Sequence, residues 1–331
     1  MRKIVRILLV WALPAVLILV VLGRPSGLAW FFAVHETATG VAIPSPGKVT
    51  FVDTTRLEEA VTVVTAFVVK PTYMLLALLP GIYLFRRREH DLALLGRGML
   101  LFFVGESLCA LRFLGAGPCD PLEVGHGLGM VAMGAWSAWG LVELFDCRVL
   151  GYSDLERTCV LSRFCQRCWK REPTYCGLQR IMLFLLPVLA VLCLVPLTAT
   201  PRPIVLEYSV FGSMVRDEVT PLIAILEIRI YPLLALWLFA VAFVDLLAGK
   251  PGLERAKAPF FVGAGFLSYA LLRFLLQQAF GQAVFWANAW EEVTELATVL
   301  SLLWLLWTFR LQLGLGRRQR TPRLAPTQQP G

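Results

Sequence analysis

Ile181-Met182-Leu183-Phe184-Leu185-Leu186-Pro187-Val188-Leu189-Ala190-Val191-Leu192-Cys193-Leu194-Val195-Pro196-Leu197-Thr198-Ala199 runs without one charged side chain. An α-helix needs ~20 predominantly apolar residues to cross the hydrocarbon layer of a bilayer, and this stretch has that length and character. Seven further segments read the same way, at 4–22, 61–85, 92–114, 124–145, 221–247, 259–280 and 293–312. The composition agrees: 331 residues, 57% hydrophobic and only 16% charged, with a mean hydropathy of +0.69. That balance excludes an ordinary soluble domain, a disordered chain, collagen and a secreted disulfide scaffold. The expectation is an all-α integral membrane protein with eight transmembrane helices.

Arg2, Lys3 and Arg6 precede the first span as they would in a signal peptide. Its apolar run is long, however, and Leu22-Gly23-Arg24-Pro25 offers no small-x-small cleavage site, so the segment reads as a retained anchor. Orientation follows from Lys and Arg in the loops. With the N-terminus inside, Arg2, Lys3, Arg6, Arg86, Arg87, Arg88, the basic stretch Arg148 to Arg180, Lys250, Arg255, Lys257 and the tail Arg317, Arg318, Arg320 and Arg323 all face the cytoplasm. Only Arg24, Lys48, Arg56, Arg202 and Arg216 remain outside. Both termini are expected to be cytoplasmic, in a membrane of the bacterial inner type. The formal charge of +8 is this topological signal, and no nucleic-acid-binding motif accompanies it.

The chain also resembles itself. Tyr73-Met74-Leu75-Leu76-Ala77-Leu78 matches Tyr231-Pro232-Leu233-Leu234-Ala235-Leu236; Ser107 with Arg112-Phe113-Leu114 matches Ser268 with Arg273-Phe274-Leu275; Trp136-x-x-Trp139 matches Trp304-x-x-Trp307. The offsets are 158, 161 and 168, drifting by loop-sized steps. Two four-helix repeats of the same orientation are expected, related by a pseudo-twofold axis along the membrane normal. The first occupies 1–146, with an external loop at 23–60; the second occupies 181–312; a Cys-rich loop at 147–180 joins them; 313–331 reads as a disordered tail.

Two features carry chemistry. In the joining loop, Cys159, Cys165, Cys168 and Cys176 fall close together around one Cys-x-x-Cys. In a reducing cytosol four such thiolates suit a tetrahedral zinc site or an iron–sulfur cluster better than disulfides. The spacing matches neither a ferredoxin run nor a paired zinc ribbon, and unligated thiols are the bland alternative. No haem is expected: the Cys-x-x-Cys lacks a following His, and His126 is the one histidine of the three placed in a span.

The second feature is a polar belt in the outer half of the spans: Lys70, Glu106, Arg112, Glu227, Arg229 and Arg273, with Glu123 and His126 opening the fourth span and Glu291, Glu292 and Glu295 opening the eighth. Ionisable groups are costly in hydrocarbon, so each needs a partner or a purpose. Glu123-x-x-His126 and Glu292-x-x-Glu295 each put two ligating groups on one helix face. Glu106 and Glu227 are too deep and too short to reach the headgroups. The belt can be a carboxylate metal site of the four-helix-bundle kind, a proton, quinone or solute site, or a set of structural ion pairs. The tryptophans and the span cysteines Cys109 and Cys193 read as packing or interface residues.

No P-loop, Gly-x-Ser-x-Gly, His-Glu-x-x-His or Rossmann glycine pattern is present. Three functions stay open: a redox or electron-transfer subunit with a cytosolic cysteine centre and a partner protein, which uses both features; a secondary transporter with the charged site between repeats and a zinc knuckle as strap; and a membrane sensor or assembly factor.

Overall fold

The computed structural model describes residues 50–114, 119–150, 176–201, 204–248, 250–280 and 284–310. These form seven long helices: α1 (Arg56–Phe85), α2 (His90–Phe113), α3 (Cys119–Leu144), α4 (Cys176–Leu197), α5 (Pro221–Leu246), α6 (Lys250–Ala279) and α7 (Val284–Thr308). Six of them, α1 to α6, are long and apolar enough to cross a membrane. The expected first span, the Cys159–Cys168 part of the joining loop and the 313–331 tail lie outside the described residues.

Exposure is inverted relative to a water-soluble protein. Phe184 and Trp304 are each 72% exposed, whereas Glu106 is fully covered and Glu227 and His126 are 2% and 3% exposed. A soluble fold would bury the former and solvate the latter, so the outer surface is built for lipid. The chain is a multi-pass membrane bundle.

α1 and α5 share one layout. Each begins with a threonine cap, Thr55 or Thr220, whose side chain accepts from the backbone of Glu58 or Ile223. Each then widens into a π-helical turn, Thr65–Val69 or Leu226–Ile230, and resumes as α-helix with proline at its second position, Pro71 or Pro232. Proline is the cause: it has no N–H to give and its ring crowds the carbonyl four residues back, so the preceding turn opens. The π-turns start at 65 and 226 and the prolines fall at 71 and 232, a constant 161 residues apart. On this geometry Tyr231 corresponds to Lys70, not to Tyr73 as the local residue match has it.

Glycines set the helix contacts. A Cβ on Gly129 of α3 would lie 2.6 Å from Cα of Gly105 on α2, and one on Gly265 of α6 would lie 2.3 Å from the Val131 carbonyl of α3. α3 therefore sits backbone-close to both α2 and α6, as small residues permit where lipid supplies no drive for association. α7 lies mainly against α1. One apolar cluster, including Tyr73, Phe102, Met130, Tyr231, Ala270 and Val299, joins both halves of the chain. A second, including Met182, Cys193, Phe239 and Phe261, fills the space between α4, α5 and α6.

The all-helical expectation holds for the bundle but not for the connection between α4 and α5. There β2 (Ile204–Val210) and β3 (Ser213–Val219) form an antiparallel hairpin, with β1 (Thr50–Val52) pairing parallel to β2. The alternation Ile204, Leu206, Tyr208, Val210 is a strand pattern, and Phe211-Gly212, both at positive φ (49° and 85°), is the two-residue turn that suits strand twist. Tyr208 stacks edge-on to Phe285 at the start of α7, seating the sheet on one end of the bundle.

Candidate functional site

The site forms where α1, α2, α3 and α7 converge at the hairpin end. On α1, Lys70 and Tyr73 are three residues apart and share a face; so do Glu106 and Cys109 on α2, and Glu292 and Glu295 on α7. The Lys70 ammonium lies 2.7 Å from Glu106 Oε2 and 2.8 Å from Glu292 Oε1, with Cys109 Sγ at 3.5 Å. The Tyr73 hydroxyl is 2.7 Å from Glu106 Oε2 and 2.6 Å from both Glu292 Oε2 and Glu295 Oε2. A phenol has one proton to donate, so it satisfies one of these three carboxylates and leaves the others needing positive charge or a proton of their own.

The glycine contact between α2 and α3 delivers His126. Its Nδ1 lies 3.3 Å from the Gly105 carbonyl and 3.2 Å from Glu106 Oε1, the latter outside hydrogen-bonding geometry. Because a carbonyl oxygen only accepts, Nδ1 carries the proton in that contact, and a neutral ring then keeps its lone pair on Nε2.

A second group adjoins the first. Arg273 of α6 donates to both oxygens of Glu291 at 2.7 and 2.8 Å through one Nη, and its Nε lies 2.9 Å from Glu227 Oε1 as an ion pair without hydrogen-bonding geometry. Tyr269 donates to Glu227 Oε1 at 3.3 Å and stands edge-on to the His126 ring. At the rim, Arg112 grips Glu123 Oε2 at 2.5 Å and donates to the main-chain carbonyl of Glu218 at the end of the hairpin. The two Arg–Glu pairs correspond, since 112 and 273 differ by 161 and 123 and 291 by 168, the same offsets as the Ser–Arg and Trp–Trp matches.

Of the expected belt residues, Lys70, Glu106, His126, Glu292 and Glu295 come together in the first group, Glu227 and Arg273 in the second, and Arg112 with Glu123 at the rim. Arg229 departs: two residues from Glu227 in the π-turn, it points away to the Leu197 carbonyl at the end of α4, 3.1 Å distant. Glu123 and His126, grouped by spacing, serve different partners. Tyr73 and Tyr269 were not anticipated; a tyrosine three residues from Lys70, in a span that otherwise wants no polar tip, is the signal that could have found the first. Cys109 borders the site in addition to packing. Of the four loop cysteines, Cys176 opens α4 and the others fall outside the described residues, so the zinc or iron–sulfur expectation stands on spacing alone.

Three overlapping sets of side chains bring possible ligand atoms within 4.8 Å of one another: Glu106, Cys109 and His126; His126, Glu291 and Glu295; Glu106, Glu292 and Glu295. The chain was compared with protein-family profiles, curated proteins and solved structures, and none matched.

Proposed function

We propose that this membrane protein is a secondary carrier that binds a cation, a proton or a metal ion, in the carboxylate cluster around Tyr73. The observation that carries this reading is the imbalance of buried charge. Among the described residues, Glu106, Glu123, Glu227, Glu291, Glu292 and Glu295 are connected to Lys70, Arg112 and Arg273, and His126 is a further group able to become positive. Structural ion pairs come in matched numbers, because an unmatched carboxylate away from water costs several kcal/mol. A surplus of acid at such depth is what a site for a positively charged guest requires.

The corresponding π-turns, prolines and Arg–Glu pairs support two related halves, the organisation on which many carriers rock about a central site. In this reading the loop between the halves is a strap, its Cys-x-x-Cys and two flanking cysteines holding structural zinc. The redox alternative rests on the same loop cysteines, of which Cys159, Cys165 and Cys168 lie outside the described residues.

Purified chain reconstituted in liposomes with a trapped pH-sensitive or metal-sensitive dye tests the reading. Cation-driven signal is expected from the wild type, reduced at least tenfold in Glu106→Gln. Equal flux in both, or no flux under any imposed cation gradient, overturns it.

A further inference from the structure

We infer that Glu106, His126, Glu292 and Glu295 form a binding site for a divalent transition-metal ion, and that the Lys70 ammonium is a tethered competitor seated at its edge. The inference rests on the cation-carrier reading and names the guest.

The donor set comes first. Glu106 and Glu295 each belong to two of the three close-packed ligand groups, and His126 also belongs to two. Ligand atoms bound to one ion at ~2.1 Å can stand at most ~4.2 Å apart, so Glu106, Glu292 and Glu295, already within 4.8 Å of one another, need only a small closing motion, and His126 shares a set of that size with Glu106 and another with Glu295. Carboxylates alone would suit magnesium or calcium. An imidazole among them, with a thiol adjoining at Cys109, shifts the preference to manganese, iron, cobalt or zinc.

The surroundings of those donors point to a guest independently of their number. His126 is buried, and its Nδ1 on the Gly105 carbonyl is the arrangement by which backbone groups orient a metal-bound histidine. Glu106 is wholly buried, yet its Oε1 has no hydrogen-bond partner. The polar neighbour of that oxygen is His126 Nδ1 at 3.2 Å, too poorly aligned for a hydrogen bond.

Lys70 supplies the exchange. Its Nζ bridges Glu106 and Glu292, two of the proposed ligands, in the way a bound cation would. A lysine is a compact charge on a flexible stem, and this one starts at the first residue after the π-turn of α1. A divalent ion entering between the carboxylates displaces the ammonium from them, and its departure lets the ammonium return. Glu106 and Glu292 thus face a cation in either state, the ammonium or the metal. Arg273 already engages Glu291 and Glu227, and those two are left outside the proposed ligand set.

The test is a manganese titration of the full chain in detergent, read from the loss of the free Mn2+ electron paramagnetic resonance signal; thiolates of the 159–176 loop compete poorly for this hard ion. One Mn2+ per chain is expected, with affinity at least tenfold lower in Glu295→Gln and His126→Gln and at least tenfold higher in Lys70→Met. The exposed variant Glu58→Gln is expected to match the wild type. Gel filtration identifies any variant that does not fold, and Lys70→Met, which removes a charge without removing a ligand, keeps the question answerable if both ligand variants fail. Absence of Mn2+ uptake by wild type and Lys70→Met alike overturns the site. Unchanged affinity in Lys70→Met overturns the competitor role. Proton flux that depends on Glu106 without Mn2+ uptake leaves the carrier reading standing and removes this inference; Mn2+ uptake as described, with no flux, does the reverse.

Discussion

The bundle has ionic layers at both ends, and they are built differently. Away from the hairpin, Lys257 of α6 meets Glu143 of α3 at 2.7 Å, and Arg148 just past α3 grips Asp91 at the start of α2 with bonds of 2.5 and 2.9 Å. Both of these cations have their acid, and Trp139 adds an indole N–H to Glu143 at 3.1 Å. At the hairpin end the described acids outnumber the described cations, and three of them, Glu106, Glu292 and Glu295, converge on one phenol. A matched pair costs little once made and is expensive to break; an unmatched carboxylate is costly as it stands and is retained for another reason. The first layer fastens helices, and the second is held in readiness for a guest.

The sharpest way to break this contrast is Lys257→Met. It strands Glu143, and removal of one partner from a buried pair costs about 3–5 kcal/mol, so the thermal midpoint in detergent is expected to fall steeply while Mn2+ affinity of the surviving folded protein is unchanged. A lost metal affinity with an unmoved midpoint would reverse the roles of the two layers. Next in size is Gly129→Leu. The new side chain must enter space that the α2 backbone occupies, for about 1–3 kcal/mol, and by parting His126 from Glu106 it should weaken stability and Mn2+ binding together. If binding is untouched, the glycine contact is not what assembles the site. Smallest, and opposite in sign, is Glu295→Gln. Relief of carboxylate crowding is expected to raise stability by about 0.5–2 kcal/mol, read as a higher midpoint, the usual gain when a functional compromise is removed. A fall like that of Lys257→Met would mean that Glu295 is simply another structural partner.

Much of this was legible in the sequence because hydrocarbon is an exacting solvent. Apolar runs gave the helices now described, and the cost of burying charge marked Glu106, Glu227 and their neighbours as unusual before any contact was known. The boundaries that moved did so for local reasons: α1 starts at Arg56 because Thr55 and Glu58 cap each other reciprocally, and α7 starts at Val284, so that its acidic residues lie a full turn or more inside the helix. Spacing, however, tells which residues share a face and not what that face meets. Glu123 and His126 share one and part company because Arg112 and Glu106 approach from different heights on α2. Arg229 left the belt because the π-turn before Pro232 sets it apart from Glu227, and a register shift of that kind follows from proline only once the strand or helix around it is known. The hairpin was missed because its two short strands, judged against long apolar runs, looked like one polar connection.

The small sheet has a consequence beyond covering the site. Its parallel pairing joins Thr50–Val52, at the head of the first described helix, to Leu206–Tyr208, which follows the fourth, and the Arg112 bond to Glu218 adds a second stitch between the same two parts of the chain. Together with the shared apolar cluster, these links tie the part of the chain up to Leu150 to the part from Cys176 onward by contacts other than the segment between them. A chain cut there would behave as two fragments of one folded object, and co-expressed pieces should find each other and purify as a pair.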